Sequence, residues 1–226
     1  MTDFSDCVCI FDLDGTLVDS APDLTEALNR ALLREGLSEI DLSQVRPIVG
    51  EGARAMLRKG FAMQGRTFPE DQDGNRIVSD YVEDYAASIF EHSFVFEDVT
   101  KTLEQLKSNG AKLAVCTNKT ERLSEPLLEQ AQLSQFFEEI VSADSLPEKK
   151  PSGLPLMTIM ERTRRSKAVM IGDTATDLGA AEAAGVPCLI ATFGYGANDP
   201  QVGKAPKFER FDELPGLIAE QLSKWS

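Results

Sequence analysis

The first apolar run of the chain, Cys7-Val8-Cys9-Ile10-Phe11, stops abruptly at Asp12. A short continuous run of this kind, closed by polar residues, reads as a strand buried on both faces. Leu24, Ala27, Leu28, Ala31 and Leu32 then recur at helical spacing, and Pro22 suits a first turn and Gly36 a stop. That spacing predicts a helix over 22–34. From 42 to about 92 only helical patterns follow. Ala53, Met56, Leu57 and Gly60 share one side of 52–61, and a stretch rich in Gly, Pro and Asp breaks the pattern over 65–74. Ile77, Tyr81, Tyr85, Ser88 and Ile89 line a further helix.

From residue 94 the pattern changes to alternation. Short apolar runs at 112–116, 140–142, 168–171 and 186–191, with an edge strand at 207–211, are separated by helical stretches at 99–107, 121–131, 154–163, 176–184 and 215–222. Strand-helix repetition implies a parallel sheet covered on both faces. The helical stretch would then be an insertion after the first strand, with hinges near 17–20 and 92–96.

Composition narrows the class. The chain has 226 residues, of which 42% are hydrophobic, and no apolar run reaches the length of a membrane span. Its N-terminus shows no basic region followed by a signal core, so the expected compartment is the cytoplasm. Cys7, Cys9, Cys116 and Cys188 lie in or beside apolar runs and read as small buried hydrophobes rather than disulfides or a metal site. The net charge of −14 argues against nucleic acid and membrane surfaces as partners. It also repels a phosphorylated substrate, but screening over roughly 8 Å at physiological salt lets a few local cations decide the matter.

Candidate chemistry gathers at strand ends. Asp12 and Asp14 follow the first strand, where open α/β sheets place their ligands, and Gly15 permits a tight turn. Two carboxylates about 4 Å apart repel by roughly 4 kcal/mol at an effective dielectric near 20. A shared proton, a basic side chain or a cation must relieve that, and all-oxygen ligation suits magnesium. The plainer alternative is an acidic turn after an edge strand. Thr117 and Asn118 end the 112–116 strand just before a helix, so they are either phosphate contacts or a helix cap. Lys149 and Lys150 precede Pro151 in a loop, where a lysine pair is ordinarily solvated surface. Asp173 and Asp177 open the 176–184 helix, which they would also serve as cap and dipole partners.

The segment FDLDGTLVDS at 11–20 resembles the first motif of the haloacid dehalogenase superfamily in its phosphatase form. The resemblance implies that Asp12 is a nucleophile forming an aspartyl phosphate. Asp14 would be the general acid and base, giving its main-chain carbonyl to magnesium. By the same resemblance Thr117 binds the transferring phosphoryl group and Lys150 neutralises it together with the nucleophile. Residues 150–156 are similar to the family pattern K-P-x-P-x-P-L, with Gly153 in place of the middle proline. G-D-T-x-x-D at 172–177 is similar to the last motif, which makes Asp173 a metal ligand and leaves Asp177 to orient a metal-bound water or Lys150. The implied architecture is a Rossmann-like parallel α/β core, residues 1–19 and 93–226, with a small all-helical cap over 20–92.

Residues 46–54, Thr117-Asn118-Lys119 and Gly194-Tyr195-Gly196 look most like phosphoglycolate phosphatases. That resemblance implies a magnesium-dependent phosphatase of a small phosphorylated metabolite, as monomer or homodimer. Gly50 would let the backbone approach the substrate, and Arg54 would pair with its carboxylate. The alternative for both is an ordinary cap helix with an exposed arginine. Sugar-phosphate phosphatases, β-phosphoglucomutase-like enzymes and pyrophosphatases share the same core motifs. A non-catalytic phospho-acceptor domain is the reading from a different class; Asp14 and the helical insertion speak against it.

Overall fold

The computed structural model describes residues 3–203 and 205–224. In chain order the elements are β1 (Cys7–Phe11), β2 (Val18–Asp19), α1 (Ala21–Arg34), α2 (Leu42–Val45), α3 (Ala53–Met63), α4 (Gln72–Ala87), β3 (Phe94–Val95), α5 (Val99–Ser108), β4 (Lys112–Cys116), α6 (Glu121–Gln130), β5 (Glu139–Val141), α7 (Leu154–Thr163), β6 (Lys167–Gly172), α8 (Ala175–Ala184), β7 (Cys188–Ala191), β8 (Lys207–Phe208) and α9 (Leu214–Lys224). A six-stranded sheet runs in the order β5-β4-β1-β6-β7-β8, and each neighbouring pair is parallel.

Every residue of β1 is buried, as its unbroken apolar run requires. Successive side chains point to opposite faces. Cys7, Cys9 and Phe11 pack in one layer with Leu103 of α5, Leu127 of α6 and Ile218 of α9. Val8 and Ile10 pack in the other with Leu156 and Ile159 of α7 and Ala180 of α8. The four cysteines are buried and free, as their apolar settings suggest. From β1 the chain builds β4 and β5 on one side and then crosses back to add β6, β7 and β8 on the other, which makes the carboxyl ends of the strands around β1 the switch point of the sheet.

No strand interrupts 21–87. Leu28 and Leu32 of α1, Leu57 and Phe61 of α3 and Tyr81 and Tyr85 of α4 are buried in one continuous apolar layer. The two connections to the sheet meet in a short antiparallel ribbon, with Val18 opposite Val95 and Asp19 opposite Phe94. Asp23 of α1 fastens it by accepting from the N–H groups of His92, at 2.8 Å, and Ser93, at 2.9 Å. Among the described residues no helix is long and apolar enough to cross a membrane.

The strand expected over 186–191 begins only at Cys188, because Pro187 has no N–H to give a ladder. The edge strand expected over 207–211 ends at Phe208, and a 3-10 turn over Phe211–Glu213 follows it.

Candidate active site

Asp12 directly follows β1, and its N–H donates to Ile171 of β6 at 2.8 Å. Asp14 lies one turn further on, where Gly15 takes a φ of +81° that favours glycine. Asp173 directly follows β6, and Thr117 directly follows β4, its N–H donating to Val141 at 3.0 Å. Lys150 reaches in from the loop before α7. Three central strand tips and one loop thus converge.

Lys150 is the hinge of the electrostatics. Its ammonium lies 2.9 Å from Asp12 Oδ1 and 2.6 Å from Asp177 Oδ1, and its side chain is almost wholly buried. Burial works against its charge, but Asp12 and Asp177 overcome that and hold its pKa above the usual lysine range. Asp12 is pushed up to about 7, mainly by burial, opposed by Lys150 and reinforced by Asp177 and Asp14. Burial, then Asp177 and Asp12, hold the Asp173 carboxyl well above the usual carboxylate range. Four buried carboxylates, Asp12, Asp14, Asp173 and Asp177, face two buried ammonium groups, Lys119 and Lys150.

The donor set fits a divalent cation. Asp12, Asp173 and Asp177 each bring a carboxylate oxygen within 4.8 Å of the others. Asp177 is already engaged: Oδ1 holds Lys150, and Oδ2 accepts from the N–H groups of Asp173 and Thr174 and from the Thr174 hydroxyl. It closes a capping box on α8 while steering the lysine. Asp12 uses Oδ1 for both Lys150 and the Leu13 N–H, which leaves Oδ2 for a ligand. Asp173 accepts one bond at each oxygen, from the Thr16 hydroxyl at 3.0 Å and the Tyr195 N–H at 2.7 Å, so lone pairs remain. Hard, oxygen-only donors of this kind suit magnesium, calcium or manganese.

Asp14 stands on the other side of Asp12. Its Oδ1 accepts from the Ser20 hydroxyl at 2.5 Å and lies 3.2 Å from Lys119 Nζ. Lys119 also donates to the Tyr85 hydroxyl at 3.1 Å, with its ammonium 4.4 Å from the Tyr85 ring centroid. A cavity of about 210 Å³ opens above Asp12 and Asp14, roofed by α3 and α4. Gly50 and Asn118 line it, and the Asn118 amide bridges the Gly50 and Lys150 carbonyls at 3.4 and 3.0 Å. Arg54 lines it too, but its guanidinium bonds Asn75 at 2.5 Å, lies 3.6 Å from Glu70 and 5.7 Å from the Phe68 ring.

All the residues singled out from the sequence therefore belong to this end of the sheet or to the wall of the cavity. Lys119, Thr16 and Tyr195 escaped that reading as contributors. In the sequence Lys119 stands out only as the end of Thr117-Asn118-Lys119, and its place three residues after β4 is the available signal.

A family model described as haloacid dehalogenase-like hydrolase matches residues 9–191. The chain belongs to that family. It is 43% identical over 195 residues, 85% of this chain and 82% of the other, to a phosphoglycolate phosphatase of Caulobacter vibrioides. It is 36% identical over 222 residues, 96% of this chain and 94% of the other, to a phosphoglycolate phosphatase of Agrobacterium fabrum. The crystal structure of a predicted phosphoglycolate phosphatase from Haemophilus somnus 129PT superposes with a TM-score of 0.87 at 29% identity, over 96% of this chain and 99% of that one.

Proposed function

We propose that this chain is a magnesium-dependent phosphatase that hydrolyses 2-phosphoglycolate through an aspartyl phosphate on Asp12, in the cytoplasm. The observation that carries the chemistry is the placement of Asp12 and Asp173 on the tips of adjacent strands, with Lys150 against Asp12 and Asp14 beside it. Asp12 and Asp173, with the Asp14 carbonyl, would hold the magnesium. When bound, the ion supplies charge that offsets the surplus of carboxylates and polarises the phosphoryl oxygens.

The residues divide the work. Lys150 opposes the protonation that burial favours and holds Asp12 in place, so that the ionised Asp12 forms a bond to phosphorus as the bond to the leaving oxygen breaks. Asp14 gives its proton to that oxygen, then takes one from the water that attacks phosphorus and releases Asp12. The Thr117 hydroxyl and Lys150 stabilise charge on the equatorial oxygens. Residues 20–92 act as a cap, and α3 and α4 keep bulk water from the reacting atoms.

The cavity and the phosphoglycolate phosphatases among the relatives support this substrate. The space is small, and Lys119 sets a buried cation beside the leaving-group side of Asp14. α3 begins at the cavity wall, where first-turn N–H groups have no intrahelical partner. A short leaving group ending in a carboxylate meets both features.

The test is phosphate release from a panel of phosphomonoesters, with magnesium and with EDTA. 2-Phosphoglycolate is expected to lead the panel by kcat/KM, and chelation to abolish release. Equal rates across the panel sink the substrate assignment; full activity in EDTA sinks the metal.

A further inference from the structure

Gly194-Tyr195-Gly196, the loop after β7, touches both the acidic cluster and the helical insert. On one side it wraps Asp173. The Tyr195 N–H donates to Asp173 Oδ2 at 2.7 Å. A Cβ on Gly194 would lie 2.2 Å from Asp173 Cβ, and one on Gly15 would lie 2.5 Å from Asp173 Oδ2 and 2.8 Å from Tyr195 Cδ2. The loop and the turn after β1 thus close on this carboxylate from two directions, and Thr16 holds its other oxygen.

On the other side, the Tyr195 hydroxyl donates to Asp19 Oδ1 at 2.8 Å and accepts from the Ala21 N–H, which starts α1, at 3.0 Å. Asp19, on the ribbon strand β2, is 2% exposed. Its remaining partner comes from the insert: Arg46 donates to Oδ1 at 3.1 Å and Oδ2 at 2.7 Å, a two-pronged pair. The Arg46 guanidinium also lies 5.6 Å from the Tyr195 ring centroid. Arg46 is in the 3-10 turn Arg46–Ile48, which leads into the Gly50–Gly52 wall of the cavity.

We propose that Tyr195 is a positioning residue that couples the seat of Asp173 to the docking of the helical insert through the Asp19–Arg46 pair. If Arg46 lets go, Asp19 is left buried with its charge uncompensated, and the phenol that shares it loses its anchor. The same tyrosine carries the N–H that fixes Asp173. Docking of the insert therefore tightens the metal acid, and by reciprocity a cation at Asp173 favours the docked insert. Ser20, next to Asp19, donates to Asp14 Oδ1.

The inference rests on the reading that Asp12 and Asp173 hold magnesium, and the experiment separates the two. Magnesium affinity is measured by calorimetry on substrate-free protein, for wild type, Asp173→Asn, Arg46→Ala, Tyr195→Phe and the double variant. Hydrogen exchange over 46–56 is followed with and without magnesium. Arg46→Ala and Tyr195→Phe are each expected to weaken binding about tenfold, although Arg46 touches none of the metal acids. The double variant is expected to be no weaker than either single one, because both cut the same link. Magnesium is expected to slow exchange over 46–56 in wild type and not in the variants. A purely structural role would lower Tm and leave affinity and additivity untouched. Should Tyr195→Phe fail to fold, the part-exposed Arg46→Ala carries the test alone. Wild type that binds no magnesium, or Asp173→Asn that binds as wild type, overturns the metal reading and this one with it. Wild-type binding lost in Asp173→Asn but kept within about twofold in Arg46→Ala overturns the coupling alone.

Discussion

The floor and the roof of the cavity are built by opposite electrostatic rules. On the floor, charges are buried and shared: Lys150 serves Asp12 and Asp177 with its side chain 1% exposed. In the roof, charges are exposed and paired locally, Arg58 with Glu70 and Lys59 with Glu51, all with side chains more than a third exposed. Exposed pairs of this kind contribute little, roughly 0–1 kcal/mol each. Buried ones cannot lose a member without leaving a charge in low dielectric, at a cost of about 3–5 kcal/mol. Chemistry common to many substrates belongs on the floor, where nothing can be changed cheaply. Selectivity belongs where the two meet, at the buried Lys119 that joins Asp14 of the floor to Tyr85 of the roof.

The largest break in that contrast comes from the nucleophile. Asp12→Asn removes the attacking oxygen anion and should lower kcat by at least about a thousandfold, while Tm stays near that of wild type or rises. Tm holds because Lys150 keeps Asp177 as a charged partner, and a rise is expected because the folded state no longer holds a carboxylate that burial disfavours. Steady-state kinetics and a melting curve on one preparation check both. Near-normal turnover by the folded variant removes Asp12 from the mechanism.

The floor's charge balance should also appear in the pH dependence of stability. Asp12 and Asp173 both have folded-state pKa values raised above the unfolded value, Asp12 to about 7. Between the two values the folded chain binds more protons than the unfolded one, so metal-free stability falls as pH rises from about 4 through about 7. A divalent cation replaces those protons. Its addition should raise Tm by several degrees more at about pH 8 than at about pH 6, since each kcal/mol moves Tm by about 2–4 °C in a chain of this size. Melting curves in EDTA and in magnesium decide it; a larger increment at the lower pH would refute the donor assignment.

The two regions also differed in how far the sequence disclosed them. The floor is made of strand tips, and a buried apolar run that ends in Asp or Thr is visible without any partner: Asp12, Thr117 and Asp173 all follow such runs. The parallel sheet was legible for the same reason, from runs at 112–116 and 168–171 separated by helical stretches. The β2–β3 ribbon was not, since two residues per strand carry no period. Nor was the link from Tyr195 to Asp19, which spans 176 positions, or the contact of Lys119 with Tyr85 across 34. Such pairs are specified by packing between elements, and local spacing records none of it. Arg54 shows the converse. The sequence places a cation at the cavity, and only the fold reveals that Glu70, Asn75 and the Phe68 ring already occupy its guanidinium.

That difference between Lys119 and Arg54 gives the smallest and most selective effect. Both line the cavity. The Lys119 ammonium is buried between Asp14 and Tyr85, whereas Arg54 is one-third exposed and turned towards its own helices. If the leaving-group carboxylate is read by the cation that faces it, Lys119→Met should raise KM for 2-phosphoglycolate about tenfold beyond its effect on a neutral aryl phosphate, the worth of one partly desolvated charge pair. The aryl phosphate serves as the internal control, because any disturbance of Asp14 by the lost lysine falls on both substrates alike. Arg54→Ala should shift the same ratio by less than about threefold, since releasing an exposed arginine from Glu70 frees little. Should Arg54→Ala change the ratio more than Lys119→Met, selectivity would reside on the exposed rim of the roof, and the buried lysine would serve Asp14 alone.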